Sequence, residues 1–201
     1  MSPRFIILVL AVFVTFAPAR QSSAEAKDAA ALFIDGLAQR AIELMKREDL
    51  APAQREEEVR ALLNDGFEMR MIARAVLGRN WRRATAEQQS EFLVLYSDYV
   101  VKTYAKRLGA FTGQSLNVNR SVPINDKETI VQTSLQGTSG PDTRIDWRVR
   151  KIKDQPRIID VVVEGVSMFT TQRSTYTSVI AREGVDGLIK SMREVAGRSP
   201  D

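Results

Sequence analysis

The chain has 201 residues, 44% hydrophobic and 27% charged, with 29 Lys and Arg against 25 Asp and Glu for a formal charge of +4. These proportions fit about one globular domain and exclude a disordered, collagenous or polytopic membrane chain. It holds no histidine and no cysteine, so it cannot build a Ser-His or Cys-His dyad, a histidine-ligated zinc site, an iron–sulfur cluster or a CxxC redox pair.

Part of the basic excess sits in an N-terminal export signal. Arg4 precedes an apolar run from Phe5 to Phe16, too short for a stable membrane span, and small residues follow. Two small-x-small cleavage sites are present, Ala17-Pro18-Ala19 and Ser22-Ser23-Ala24; the proline inside the first favours cleavage after Ala24. The expected division is a signal peptide at 1–24, a single domain at 25–197 and a frayed tail at 198–201. Cleavage removes Arg4 and Arg20 and no acidic residue, lowering the formal charge from +4 to +2. With no long basic stripe, nucleic acid is not an expected partner. An exported chain without cysteine must be stable without disulfides, and this one is long enough to bury about 70% of its unfolded surface. The bacterial periplasm is the compartment that fits, and a folded monomer is the default.

The first helix is expected over 27–49, where Phe33, Ile34, Leu37, Ala41, Leu44 and Met45 recur at helical spacing. Pro52 opens a second helix, with Val59, Leu62 and Leu63 on its apolar stripe and Glu56-Glu57-Glu58 on a solvated face. A third runs over 67–77 and stops at Gly78. After the linker Arg79-Asn80-Trp81-Arg82-Arg83, Thr85 and Gln88 form a capping box that starts the longest helix. Its broad face carries Phe92, Leu95, Tyr96, Tyr99, Val100, Thr103, Tyr104 and Leu108, either as plain core or as the wall of a ligand cavity.

After Gly113 the period changes to two, predicting strands at 114–119, 128–136, 143–152 and 157–166 with short antiparallel connections. In the third, Ile145, Trp147 and Val149 alternate with Asp146, Arg148 and Arg150, giving one apolar and one polar face. Helix returns over 167–183, stops at Gly184, and a short helix with Leu188, Ile189, Met192 and Val195 closes the chain. Helices, then strands, then helices make an α+β fold.

Catalytic chemistry is sparse. Asp160 and Glu164 share a strand face, but Arg148 and Arg150 on the preceding strand are their expected cross-strand ion-pair partners. No phosphate loop or EF-hand pattern occurs. An exported hydrolase acting through those carboxylates and a periplasmic chaperone binding apolar segments are the rival readings.

Two stretches carry a family resemblance. Leu77-Gly78-x-x-Trp81-Arg82-x-x-Thr85-x-x-Gln88-x-x-x-Phe92 is followed by Tyr104; Asp160-Val161-x-x-Glu164-Gly165-Val166-Ser167 is followed by Arg173-Ser174, Gly184 and Leu188-Ile189. In this order they resemble the MlaC, or toluene-tolerance, family through nearly all of the mature chain. The resemblance implies a curved antiparallel sheet of about four strands covered by N-terminal and C-terminal helices. Between them would lie an apolar cavity that buries the acyl chains of a phospholipid, with the headgroup near the mouth. It implies a periplasmic lipid shuttle, not an enzyme, with no cofactor beyond its cargo. Its implied partners are an outer-membrane lipoprotein–porin complex and an inner-membrane ABC transporter bearing a ring of MCE domains. Pro156 replaces a usual Trp, Trp147 a usual Tyr and Tyr176 a usual Phe. These changes alter pocket volume, so the hopanoid or sterol-like cargo of a related branch stands beside phospholipid.

The expected wall is Leu77, Trp81, Phe92, Tyr96 and Tyr99 on the helices, with Val131, Leu135, Ile145, Trp147, Val149, Val161 and Val163 on the apolar sheet face. Each is also an ordinary core residue. Arg79, Arg82 and Arg83 are placed to meet a headgroup phosphate or an acidic partner surface, or simply to be solvated.

Overall fold

A computed structural model describes residues 22–108, 113, 115–137 and 140–197. The export segment expected at 1–24, apart from 22–24, and the tail at 198–201 lie outside the described residues.

Helix α1 (Ser22–Lys46) is followed by α2 (Pro52–Gly66), whose first turn is closed by the Gln54 side chain accepting the Ala51 N–H at 3.1 Å. Val59, Leu62 and Leu63 face inward, while Glu57 and Glu58 make long outer ion pairs with Arg60 and Arg47. Phe67 is extended and forms a parallel bridge with Ile158, so α3 starts two residues later than the spacing predicts, at Met69–Leu77. Gly78 ends it at φ 56, and the expected linker is a 3-10 turn over Gly78–Arg82. The capping box of α4 (Ala86–Leu108) is reciprocal: Thr85 N–H donates to Gln88 Oε1 at 2.9 Å and Gln88 N–H to Thr85 Oγ1 at 3.2 Å.

The sheet is an antiparallel meander, β1 (Ser115–Asn125), β2 (Glu128–Gln136), β3 (Thr143–Ile152), β4 (Gln155–Val163) and β5 (Val166–Ser167), in that spatial order. It has five strands where about four were expected. The strand expected over 157–166 is broken by Glu164 and Gly165, both at positive φ (48 and 80), which form a two-residue turn and fold Val166 back onto Val163. Lys153 and Asp154 (φ 49 and 63) make the same kind of turn between β3 and β4. β1 runs past Pro123, which an edge strand tolerates because one N–H row has no ladder partner. Register shifts near Val118, Pro123 and Arg148 bend the strands, and the sheet curves.

Helix α5 (Met168–Ala196) is capped by Ser167, whose hydroxyl accepts the Thr170 N–H at 3.0 Å. Gly184, where a stop was expected, is a kink at φ 72 and ψ 179 within it. The core has two parts. Between α2, α3, α4 and α5, Phe92 is fully buried among Val76, Leu77, Val101, Tyr176, Ile189 and Met192; such a ring contributes up to about 3 kcal/mol. Ala30 and Ile34 of α1 pack on Val131, Val149 and Ile158 at one end of the apolar sheet face.

Candidate functional site

The other end of that face is hollow. A cavity of about 480 Å³ lies between the sheet and the helices, within the range of about 300–1,000 Å³ usual for small-molecule sites. Ile145, Trp147, Val161 and Val163 line it from the sheet, and Leu37, Ala38, Ala41 and Ile42 from α1. Leu62, Leu63, Phe67, Met69 and Ile72 close it from α2 and α3, and Tyr96, Val100 and Tyr104 from α4. Tyr104, 36% exposed, marks where it approaches solvent.

Polar groups on this lining are few and partnered. Tyr96 Oη donates to Gln172 Oε1 at 2.7 Å, and Gln172 Nε2 donates to Tyr176 Oη at 3.2 Å. Phe92, Tyr96 and Tyr176 form an aromatic cluster with ring centroids 5.7 to 6.5 Å apart, Tyr176 edge-on to the other two. Burial pushes both tyrosine hydroxyls well above their usual titration range, so both stay protonated and neutral. The Trp147 indole is held by Nε1 donating to Thr133 Oγ1 at 3.0 Å; that hydroxyl, fully buried, donates to the Ile145 carbonyl at 2.8 Å.

Asp160 also lines the cavity, but its oxygens are occupied. Oδ1 accepts the N–H groups of Val161 (2.8 Å) and Phe169 (3.1 Å), and Oδ2 the Ser167 hydroxyl (2.7 Å), which ties the start of α5 to β4. The expected ion pairs to Arg148 and Arg150 are not formed. Both arginines turn to Glu128, 6% exposed, at 2.6 and 3.4 Å, because the β2–β3 register sets Glu128 opposite Arg150. The Glu164 carboxylate accepts the Arg144 backbone N–H instead. Among the described residues no group of three or more acidic side chains is placed to hold a metal, and no helix is long and apolar enough to cross a membrane.

A family model described as MlaC protein matches residues 35–194, from within α1 through the whole sheet to near the end of α5. The chain belongs to the MlaC family. The chain is 22% identical over 127 residues to the intermembrane phospholipid transport system binding protein MlaC of Haemophilus influenzae; the match covers 61% of this chain and 59% of that relative, less than two thirds of its length. The fold is similar to the 1.53 Å structure of a phospholipid-binding protein from Ralstonia solanacearum in complex with a phospholipid. That likeness has a TM-score of 0.72 at 20% identity and covers 83% of this chain and 96% of the other.

Within this MlaC fold the expected wall divides. Tyr96, Ile145, Trp147, Val161 and Val163 line the cavity. Leu77, Phe92, Val131 and Val149 do not: they are nearly fully buried in the two packed clusters. Tyr99 packs against the helical cluster, and Leu135 lies on β2 outside the lining. Trp81 belongs to a second depression of about 730 Å³ on the outer side of α3, together with Arg79 and Arg82; Arg83 is not part of it. Sequence reasoning missed the α1 contribution, although Leu37 and Ala41 were already on its apolar stripe, and it missed Phe169 and Gln172 of α5.

Proposed function

We propose that this chain is a periplasmic phospholipid carrier of an Mla-type intermembrane transport system. The observation that carries the reading is the largely apolar cavity of about 480 Å³ between the sheet and the five helices α1 to α5, in a family with a relative named for phospholipid transport. A diacyl lipid has about 30 methylenes, and at about 0.8 kcal/mol each its bare exposure costs on the order of 24 kcal/mol, so it does not cross water unaided. A soluble shuttle recovers that energy by burying the chains. The N-terminal signal pattern supplies the route to the periplasm. There the carrier exchanges cargo while docked, between an outer-membrane lipoprotein–porin complex and an inner-membrane MCE-domain ABC transporter. Its own residues bind and shield, with no catalytic role assigned to any of them.

Native mass spectrometry of protein purified from periplasm, followed by organic extraction, tests this. One phospholipid per chain, and reloading of stripped protein from vesicles, are expected. Empty protein that takes no lipid overturns the reading, and an extracted hopanoid mass replaces phospholipid as cargo.

A further inference from the structure

The depression on the outer side of α3 shares no lining residue with the lipid cavity. Among the described residues five arginines line it, Arg70 and Arg74 of α3, Arg79 and Arg82 of the 3-10 turn, and Arg173 of α5, against one carboxylate, Glu68. Of the chain's 29 basic and 25 acidic residues, removing those five and that one leaves 24 of each sign elsewhere. Once Arg4 and Arg20 leave with the export signal, those 24 basic residues fall to 22, so the rest of the mature chain is at −2 and the groove carries all of its positive excess.

Arg40, Arg60, Arg144, Arg148 and Arg193 each sit within 4.0 Å of a carboxylate. None of the five groove arginines does, among the described residues. Two of them are nevertheless positioned. Arg74 stacks over the Trp81 ring at 5.2 Å, and the Arg173 guanidinium lies against the Gly78 backbone, where a Cβ would stand 2.9 Å from Nη2. Gly78, Trp81 and Arg82, which the sequence pattern singled out and the cavity does not use, thus belong to this groove.

We infer that this groove docks an acidic segment of a partner protein. The charge favours that occupant: one phosphate group carries only about two negative charges and would leave half of the net positive charge unmatched. The lining favours it over a membrane, since among the described residues no exposed large hydrophobic side chain lines it for insertion. All five cations are arginine, whose planar fork pairs carboxylates bidentately. The inference does not depend on what fills the cavity.

The test is fluorescence anisotropy of labelled hexaglutamate with the mature chain, at low and near-physiological salt. Competing inorganic phosphate and phosphatidylglycerol vesicles form separate arms, and lipid loading is followed by native mass spectrometry. Expected are salt-sensitive peptide binding, a loss of about tenfold or more in the Arg74→Glu/Arg79→Glu variant, and unchanged lipid loading. Because a double reversal risks misfolding, Arg79→Ala and Arg82→Ala are measured alongside with their melting temperatures, each expected to weaken binding without lowering them. Peptide binding indifferent to all these changes overturns the inference. So does tighter arginine-dependent binding of phosphate or vesicles than of hexaglutamate, or loss of lipid loading with the groove charges.

Discussion

Ala41→Phe places a phenyl ring in the cavity from the α1 side, where only a methyl group now lines it. Against a volume of about 480 Å³ the ring takes the place of about four acyl methylenes, and at about 0.8 kcal/mol each the bound lipid loses about 3 kcal/mol. That is about 200-fold in retention. The lipid-free protein gains apolar contact inside the cavity and gives up only a few tenths of a kcal/mol of helix propensity, so its melting temperature stays near that of the parent. Retention is measured by transfer from loaded protein to excess vesicles, and stability by thermal melts of stripped protein. Ala61→Phe, at an exposed position of α2, serves as control and leaves retention unchanged. Parental retention in Ala41→Phe would refute the assignment of this cavity as the acyl-chain site; a large fall in melting temperature would refute the reading of the cavity as empty space.

Thr133→Val removes the acceptor of the Trp147 indole and the donor to Ile145, and costs about 1–3 kcal/mol in urea denaturation. In a Trp147→Phe background the same change costs less, because no buried N–H is left without a partner; equal costs in the two backgrounds would show the pair is not coupled. Tyr96 and Tyr176 are held neutral by burial, whereas in the unfolded chain they titrate near 10. Above that pH the unfolded state releases protons that the folded state keeps, so stability is full below about pH 10 and falls above it by up to about 1.4 kcal/mol per unit per tyrosine. Urea midpoints taken from about pH 9 to about 11 show that alkaline limb, flattened in the Tyr96→Phe/Tyr176→Phe variant; an unchanged slope removes these two tyrosines as its source.

Features written by local chemistry were legible in the sequence. The Thr85–Gln88 box, the Gly78 stop and the alternation of Ile145, Trp147 and Val149 each follow from side chains a few residues apart. Depth along a face was not. Val149 and Ile145 share one face of β3, yet α1 packs on the first and leaves the second on the cavity, and only the placement of a distant helix decides that. Phe92 and Tyr96 share a stripe of α4, but the first meets the helical core and the second the hollow. Glu128 attracts Arg148 and Arg150 through the register of β2 on β3, which brings together residues 20 or more positions apart. For the groove, Arg79 and Arg82 stood beside each other in a conspicuous linker, whereas Arg70 and Arg74 reach it from α3 and Arg173 from the distant α5.

Helix α3 is a party wall. Met69 and Ile72 present one side to the cavity, while Arg70, Met71 and Arg74 present the other to the arginine groove, and all five lie on one helix of nine residues. Trimming Met69 or Ile72 for bulkier cargo would therefore change the helix that also carries Arg70 and Arg74. Ala38, Ala41 and Ile42 of α1 line the cavity with no share in the groove, and that is where cargo size can be tuned alone.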